Sequence, residues 1–425
     1  MSKYEFAKKF TRAYGKKAKH HLYLFFKWSG IAIITGLVVG GLSTLFAYFM
    51  NIVTSYRESN DFIILFLPLA GVVTVFLYNL FKYKNDKGTN LVLSTIHAQS
   101  NIPFRMAPLI FIATILTHMF GGSAGREGAA LQFGGSLGNQ LGRWLHLDDA
   151  DTRVVIMCGM SAAFSALFGT PMAAALFSME VVSVGVMYYA ALVPCVFSSL
   201  IATHIAQFVG IKETNFAVVD FPELTILNSV ETVALALLCA VLSIVFIILL
   251  HKTGDIFRKY LPNPYVRISL SAIVIVGLTF LIGTRDYNGA GMAVIERAVE
   301  GQAVPYAFLL KMIFTVLTIE AGFRGGEIVP SFFIGATFGC TFGQLIGFSP
   351  SVCAAVGLIA VFCGVTNCPI TSMLISFELF GAGGIPYFML AVAVSYFMSG
   401  YYGLYHDQKI VYSKYKARFL NRKAR

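Results

Sequence analysis

Two short segments set glycine beside an ionisable group within apolar sequence. One is Gly121-Gly122-Ser123-Ala124-Gly125-Arg126-Glu127-Gly128; the other is Gly322-Phe323-Arg324-Gly325-Gly326-Glu327-Ile328-Val329-Pro330. Glycine lets a chain turn tightly and brings backbone N–H groups close to a ligand. A helix that starts at about Ala129 aims its free N–H groups and positive dipole end at that point. Pro330 suits the first turn of a second such helix, where no N–H is needed. Each segment is then a place for an anion that needs no full positive charge from the protein. Gly128, Ala129, Ile328 and Val329 are the candidate amide donors, with Arg126 beside them.

Glu127 sits in the first segment. Ionised, its carboxylate occupies an anion site and competes with the anion; protonated, it leaves and carries a proton. One residue would thus gate the path and couple anion movement to proton movement. The plainer alternative is a carboxylate that caps a helix N-terminus. Glu327 faces the same two alternatives and is a second candidate carboxylate in the pathway. In Lys87-Gly88-Thr89-Asn90-Leu91-Val92, Thr89 either caps a helix or offers its hydroxyl to the anion. Tyr412 is either a phenolic donor to the same ion or an interfacial tyrosine. Glu180 and Glu378 end apolar helices; we read them as helix-packing or hydrogen-bonding groups, with a proton path as the alternative.

The elements that carry these groups are membrane helices. The 425 residues are 57% hydrophobic and only 12% charged, about half of the ~25% usual in soluble domains. Apolar runs of spanning length include Ile31–Val53, Phe62–Phe81, Thr232–His251 and Val266–Gly283. None alternates as a membrane barrel strand would. Ionisable groups are costly in such a setting, which makes Glu127 and Glu327 functional candidates by default.

The chain is also duplicated. Gly159, Ala162, Phe164, Pro171, Leu176, Ser178 and Glu180 recur at an offset of 198 as Gly357, Ala360, Phe362, Pro369, Leu374, Ser376 and Glu378. At an offset of 200, Gly122, Gly125, Glu127, Phe133 and Gly135 recur as Gly322, Gly325, Glu327, Phe333 and Gly335. This divides the chain into a basic N-terminal segment 1–29, a first transmembrane repeat 30–210, a linker 211–228, a second repeat 229–405 and a basic C-terminal segment 406–425. Transporters built from repeats hold substrate where the halves meet. The expected fold is therefore all-α: a polytopic membrane protein of two inverted repeats, with broken or re-entrant helices meeting at a central anion site.

The net charge of +11 is concentrated at the ends. Lys3, Lys8, Lys9, Arg12, Lys16, Lys17, Lys19 and Lys27 precede the first span, and Lys409, Lys414, Lys416, Arg418, Arg422, Lys423 and Arg425 follow the last. The positive-inside rule puts both termini in the cytoplasm, and the expected location is the cell inner (plasma) membrane. Contact with anionic lipid explains the tails better than nucleic acid does. The seven cysteines show neither CxxC nor a Cys/His zinc spacing, so no metal or other cofactor is expected. Intramembrane enzymes need a nucleophile with a base, or metal ligands; the chain has no His-x-x-x-His, and only His118 of the histidines lies deep beside a motif.

With these motifs, residues 30–415 resemble the CLC family of chloride channels and anion/proton exchangers. Gly125-Arg126-Glu127-Gly128 is similar to the family's G-K/R-E-G motif, Gly326 to Pro330 to its G-x-F-x-P region, Gly88 to Val92 to G-S-G-I-P, and Lys409 to Tyr412 to the last-helix segment carrying a central tyrosine. The resemblance implies a homodimer with one anion path per subunit, Glu127 as gate and proton acceptor, and halide ions and protons as the species moved. There are departures. Thr89 replaces the central Ser, Ile328 stands where Phe is usual, and Glu327 adds a carboxylate, as in a bacterial subgroup that exchanges fluoride for protons. Val181 occupies the place of the usual inner proton-accepting Glu. Fluoride or chloride exchange for protons is the leading expectation; a passive chloride channel of the same fold is the alternative.

Overall fold

The computed structural model describes residues 3–83, 87–98, 102–218 and 221–424. Val219 and Asp220 of the expected linker, and Arg425 of the basic tail, lie outside them, as do the side chains of the first fourteen residues. Apolar runs become helices throughout. The chain begins with α1 (Lys3–Ser59), which continues without a break through residue 30, where the basic segment was expected to end. A 3-10 turn at Asp61–Phe66 reverses it into α2 (Leu67–Leu80), and α3 (Thr89–Ala98) and α4 (Met106–Met119) follow. Next come α5 (Glu127–Trp144), α6 (Asp149–Phe168), α7 (Pro171–Glu180) and α8 (Leu192–Phe208). After the linker the chain forms α9 (Ile226–Tyr260), α10 (Pro264–Ile282), α11 (Met292–Val299) and α12 (Ala307–Ala321). It closes with α13 (Ile328–Ile346), α14 (Pro350–Thr366), α15 (Pro369–Phe380) and α16 (Ile385–Met398). Seven helical segments among the described residues are long and apolar enough to cross a membrane.

One correction concerns the C-terminal segment, which is not helical. Lys409–Tyr412 (β2) and Phe419–Lys423 (β3) form an antiparallel pair, and Ser183–Val184 (β1) adds to β2 in parallel. The all-helical body thus carries one three-stranded sheet.

Matching residues of the two sequence halves pack alike. α5 crosses α6 so closely that a Cβ at Gly134 would strike the Gly159 carbonyl, and α13 crosses α14 with Gly335 against Gly357 in the same way. Small residues a turn apart let membrane helices meet backbone to backbone. Glu180 reaches across to the start of α15, where its carboxylate accepts from Ile370 N at 3.1 Å, Thr371 N at 2.8 Å and Thr371 Oγ1 at 2.6 Å. Glu378 returns the bond to the start of α7, accepting from Met172 N at 2.8 Å and Ala173 N at 2.9 Å. Both helices open with proline at the first turn. Each carboxylate thus meets the free N–H groups and positive end of the other half's helix. This is the hydrogen-bonding role expected for these two residues.

The molecule has two distinguishable ends. Lys27 pairs with Asp151 at 2.5 Å at one, near the start of α6. At the other, Arg285 donates to the carbonyls of Arg57 at 2.9 Å and Glu58 at 3.1 Å, where α1 and α10 finish. The α9–α10 turn and the strand sheet lie at the first of these, called here the basic end.

Candidate anion site

The two glycine segments meet in the protein interior. Gly125 N donates to Gly326 O at 2.7 Å and Gly326 N to Gly125 O at 2.8 Å, an isolated antiparallel bridge between the halves. No side chain fits there: a Cβ on Gly326 would lie 2.5 Å from Gly128 N and 3.0 Å from Glu127 N. Hydroxyls brace both turns, with Ser123 N donating to Thr318 Oγ1 at 3.0 Å and Arg324 N to Thr117 Oγ1 at 3.2 Å. The His118 ring packs on Gly125 O at 3.1 Å. α5 and α13 start from this bridge, α5 at Glu127 itself, two residues earlier than expected.

Glu127 is fully buried. One carboxylate oxygen accepts from Arg126 N at 3.0 Å, and the other accepts from Val329 N at 3.2 Å. The Glu127 carboxylate therefore lies in front of the α13 N-terminus, on an amide that the sequence assigns to an anion. The helix that Glu127 caps in this way belongs to the other half. Ile328 and Val329 are buried beside it, as are Gly128 and Ala129 at the start of α5.

Thr89 opens α3 against this point. Its hydroxyl lies 3.4 Å from Gly128 O and 3.4 Å from Gln132 Nε2, both long contacts. Gln132 was missed by the sequence reading; its buried Oε1 has no hydrogen-bond partner. Arg126 spends one guanidinium N–H on Leu167 O at 2.8 Å and lies over the Phe168 ring. Glu327 is partly exposed, and its carboxylate flanks Gly128. The two carboxylates of the repeated motif are therefore inequivalent: Glu127 is fully buried, and Glu327 is partly exposed.

From the end opposite the basic one, a cavity of about 560 Å³ leads to Glu127 and Val329. Arg57, His118, Arg126 and Arg285 line it, with Asn288 and a single acid pair, Glu58 and Asp286. Behind its wall, Lys311 is fully buried with no carboxylate partner among the described residues. It donates to Tyr287 O at 3.2 Å and Gly289 O at 2.7 Å and so holds the 284–291 loop against the body. Positive groups thus surround the approach to Glu127, which raises local anion concentration.

Tyr412 is a correction. It stands on β2, exposed, with its ring edge-on to Phe419, and does not reach the bridge. Tyr405 is the buried tyrosine of this segment. Its hydroxyl has no hydrogen-bond partner. Val181 is buried, its carbonyl accepting from Gln408 Nε2 at 3.0 Å, so this position offers no titratable group. Among the described residues no cluster of His, Cys, Asp and Glu is arranged to hold a metal.

Residues 69–400 match the family described as voltage gated chloride channel. The chain is 35% identical over 396 residues to the chloride/fluoride channel protein of Pseudomonas syringae pv. tomato, covering 92% of this chain and 88% of that one. It is 24% identical to the H(+)/Cl(-) exchange transporter ClcA of Vibrio cholerae, over 82% of this chain and 81% of that one. A crystal structure of a CLC-type fluoride/proton antiporter superposes with a TM-score of 0.87 at 33% identity, covering 90% of this chain and 98% of that chain. A slow cyanobacterial Cl-/H+ antiporter shares the fold, with a TM-score of 0.75 at 20% identity, over 88% of this chain and 94% of that chain.

Proposed function

The chain belongs to the voltage gated chloride channel family, and from that premise we propose that it exchanges fluoride for protons across the inner membrane, with Glu127 as gate and external proton acceptor. The observation that carries this reading is the position of the Glu127 carboxylate on Val329 N. The N–H at the start of α13 can serve the carboxylate or a halide, but not both. Protonation removes the charge that holds the carboxylate there, and the anion takes its place. Proton binding and anion binding are thereby linked at one atom pair. Thr89, the Gly128–Ala129 and Ile328–Val329 backbone and Tyr405 line the anion path, and Glu327 is the second carboxylate on the proton path. Arg126 shapes the mouth through its bond to Leu167 and does not bind the anion directly.

Both termini are cytoplasmic in this reading, so the basic end faces the cytoplasm and the cationic cavity faces outward. The subunit functions as a homodimer in the lipid bilayer. The names of the relatives support halide as cargo, and Glu327 with the 33%-identical antiporter structure favours fluoride. The passive chloride channel is less well supported, because a path without proton exchange has no use for a second carboxylate at Glu327.

The test uses proteoliposomes loaded with potassium fluoride and a potassium ionophore to collapse the voltage. Fluoride efflux should acidify the interior, and chloride efflux should be slower. Equal chloride and fluoride efflux with no change of internal pH would replace the exchanger with a channel.

A further inference from the structure

With Val181 apolar, protons from the basic end need another carrier to reach Glu327. One face of α9 carries His251, Gly254, Asp255 and Arg258, spaced three and four residues apart, so that they share one side of the helix. Glu320, at the end of α12, lays its carboxylate on this face directly over Gly254, where any side chain would collide with it. One turn away along the same face, the His251 ring stacks on His406 with centroids 3.8 Å apart and planes 27° apart. His251 Nε2 approaches Leu404 O at 3.5 Å, so the stack sits beside the segment that carries Tyr405. His406 and Asp255 are exposed, His251 and Glu320 half-buried, and Glu327 lies beyond the 321–326 turn, close enough to feel the Glu320 charge. The groups thus grade from solvent to the interior.

Glu320 is poorly explained as a structural ion pair. Arg258 Nη1 lies 4.0 Å away with its side chain 63% exposed, and Arg258 makes its better contact to Asp255 at 2.9 Å. An exposed pair of that kind contributes little. An ionisable group on a membrane helix calls for a functional explanation.

Resting on the fluoride/proton exchange proposed above, we infer that Glu320 is the inner proton-transfer residue, loaded by the stacked imidazoles of His251 and His406 and discharging to Glu327. Each step moves one proton: an imidazolium N–H gives its proton to the Glu320 carboxylate through water, and the protonated Glu320 gives it to the Glu327 carboxylate. Two imidazolium charges at this spacing repel, so the stack carries one proton at a time. Asp255 and Asp407 favour that proton; Arg258 and Lys423 oppose it. Arg267 on α10 and Arg258 face Glu320, with Asp255 as the opposing acid. Even at this exposed position desolvation holds the His406 imidazole below the ordinary histidine range.

The experiment measures proton and fluoride fluxes together in proteoliposomes for wild type, Glu320→Gln, Glu320→Asp and the double variant His251→Gln/His406→Gln. Glu320→Gln should lower the proton-to-fluoride ratio about tenfold or more, and Glu320→Asp should restore it. The double histidine variant should flatten the dependence of proton flux on internal pH below about 6.5. A purely structural Glu320 would lower both fluxes together and leave their ratio unchanged; that result, or an unaltered internal-pH profile in the histidine variant, overturns the inference. Wild type without proton coupling would instead refute the exchange reading, and this inference with it.

Discussion

Replacing Glu127 with Gln tests the competition at Val329 N most sharply. Gln keeps the size and reach of the side chain and removes only the charge. In the structure the carboxylate accepts two backbone bonds, at 3.0 Å from Arg126 N and 3.2 Å from Val329 N, in a fully buried setting. Hydrogen bonds to an ionised group contribute about 1.5–3 kcal/mol and neutral ones about 0.5–1.5 kcal/mol. Losing roughly 1 kcal/mol on each bond weakens self-occupancy of the site by about 2 kcal/mol, which is on the order of thirtyfold at about 1.4 kcal/mol per tenfold. Because halide and side chain compete for the same N–H, apparent halide affinity should rise by up to that factor. Titration calorimetry of purified protein with fluoride and with chloride reads it directly. An affinity unchanged within about twofold would show that the carboxylate does not compete with the anion, and the gating argument would fail.

Further consequences follow from the same geometry. Gly326→Ala puts a Cβ against the Gly128 and Glu127 amides, which cannot move without breaking the bridge between halves; thermal unfolding in detergent should show a loss of about 1–3 kcal/mol, and flux assays a loss of transport. Glu180→Gln weakens three charge-assisted bonds at the start of α15, and Glu378→Gln two at the start of α7, so thermal unfolding should show both destabilised by about 1–3 kcal/mol, Glu180→Gln the more. Tyr405→Phe should weaken fluoride binding about tenfold in the same calorimetric titration, whereas Tyr412→Phe should leave it unchanged.

Much of this arrangement was legible in the sequence because duplication writes each feature twice. The paired glycine segments lie at the point where α5 and α13 begin, and the paired Glu180 and Glu378 cap one another's helices. Hydropathy identified the helical body. What the sequence hid has physical causes. Tyr412 lies on a strand whose register shifts between Ile410 and Tyr412, so the alternation that buries Ile410 does not bury Tyr412. The buried phenol falls instead at Tyr405, in a non-helical turn with no periodicity to flag it. The inequivalence of Glu127 and Glu327 was invisible because their local motifs are alike, and only the tertiary packing buries one fully and leaves the other partly exposed. His251 and His406 are far apart in the chain and belong to no spacing pattern; helix α9 and the C-terminal turn bring them together.

The central claim is that anion and proton share one gate, and a reversal potential decides it. Voltage would be set across proteoliposomes with potassium and its ionophore, and the voltage of zero net flux found at fixed fluoride and proton gradients. The account predicts that this voltage moves when either gradient is changed alone, and that in Glu127→Gln it follows fluoride only. A wild-type reversal voltage that tracks fluoride and ignores the proton gradient would contradict it.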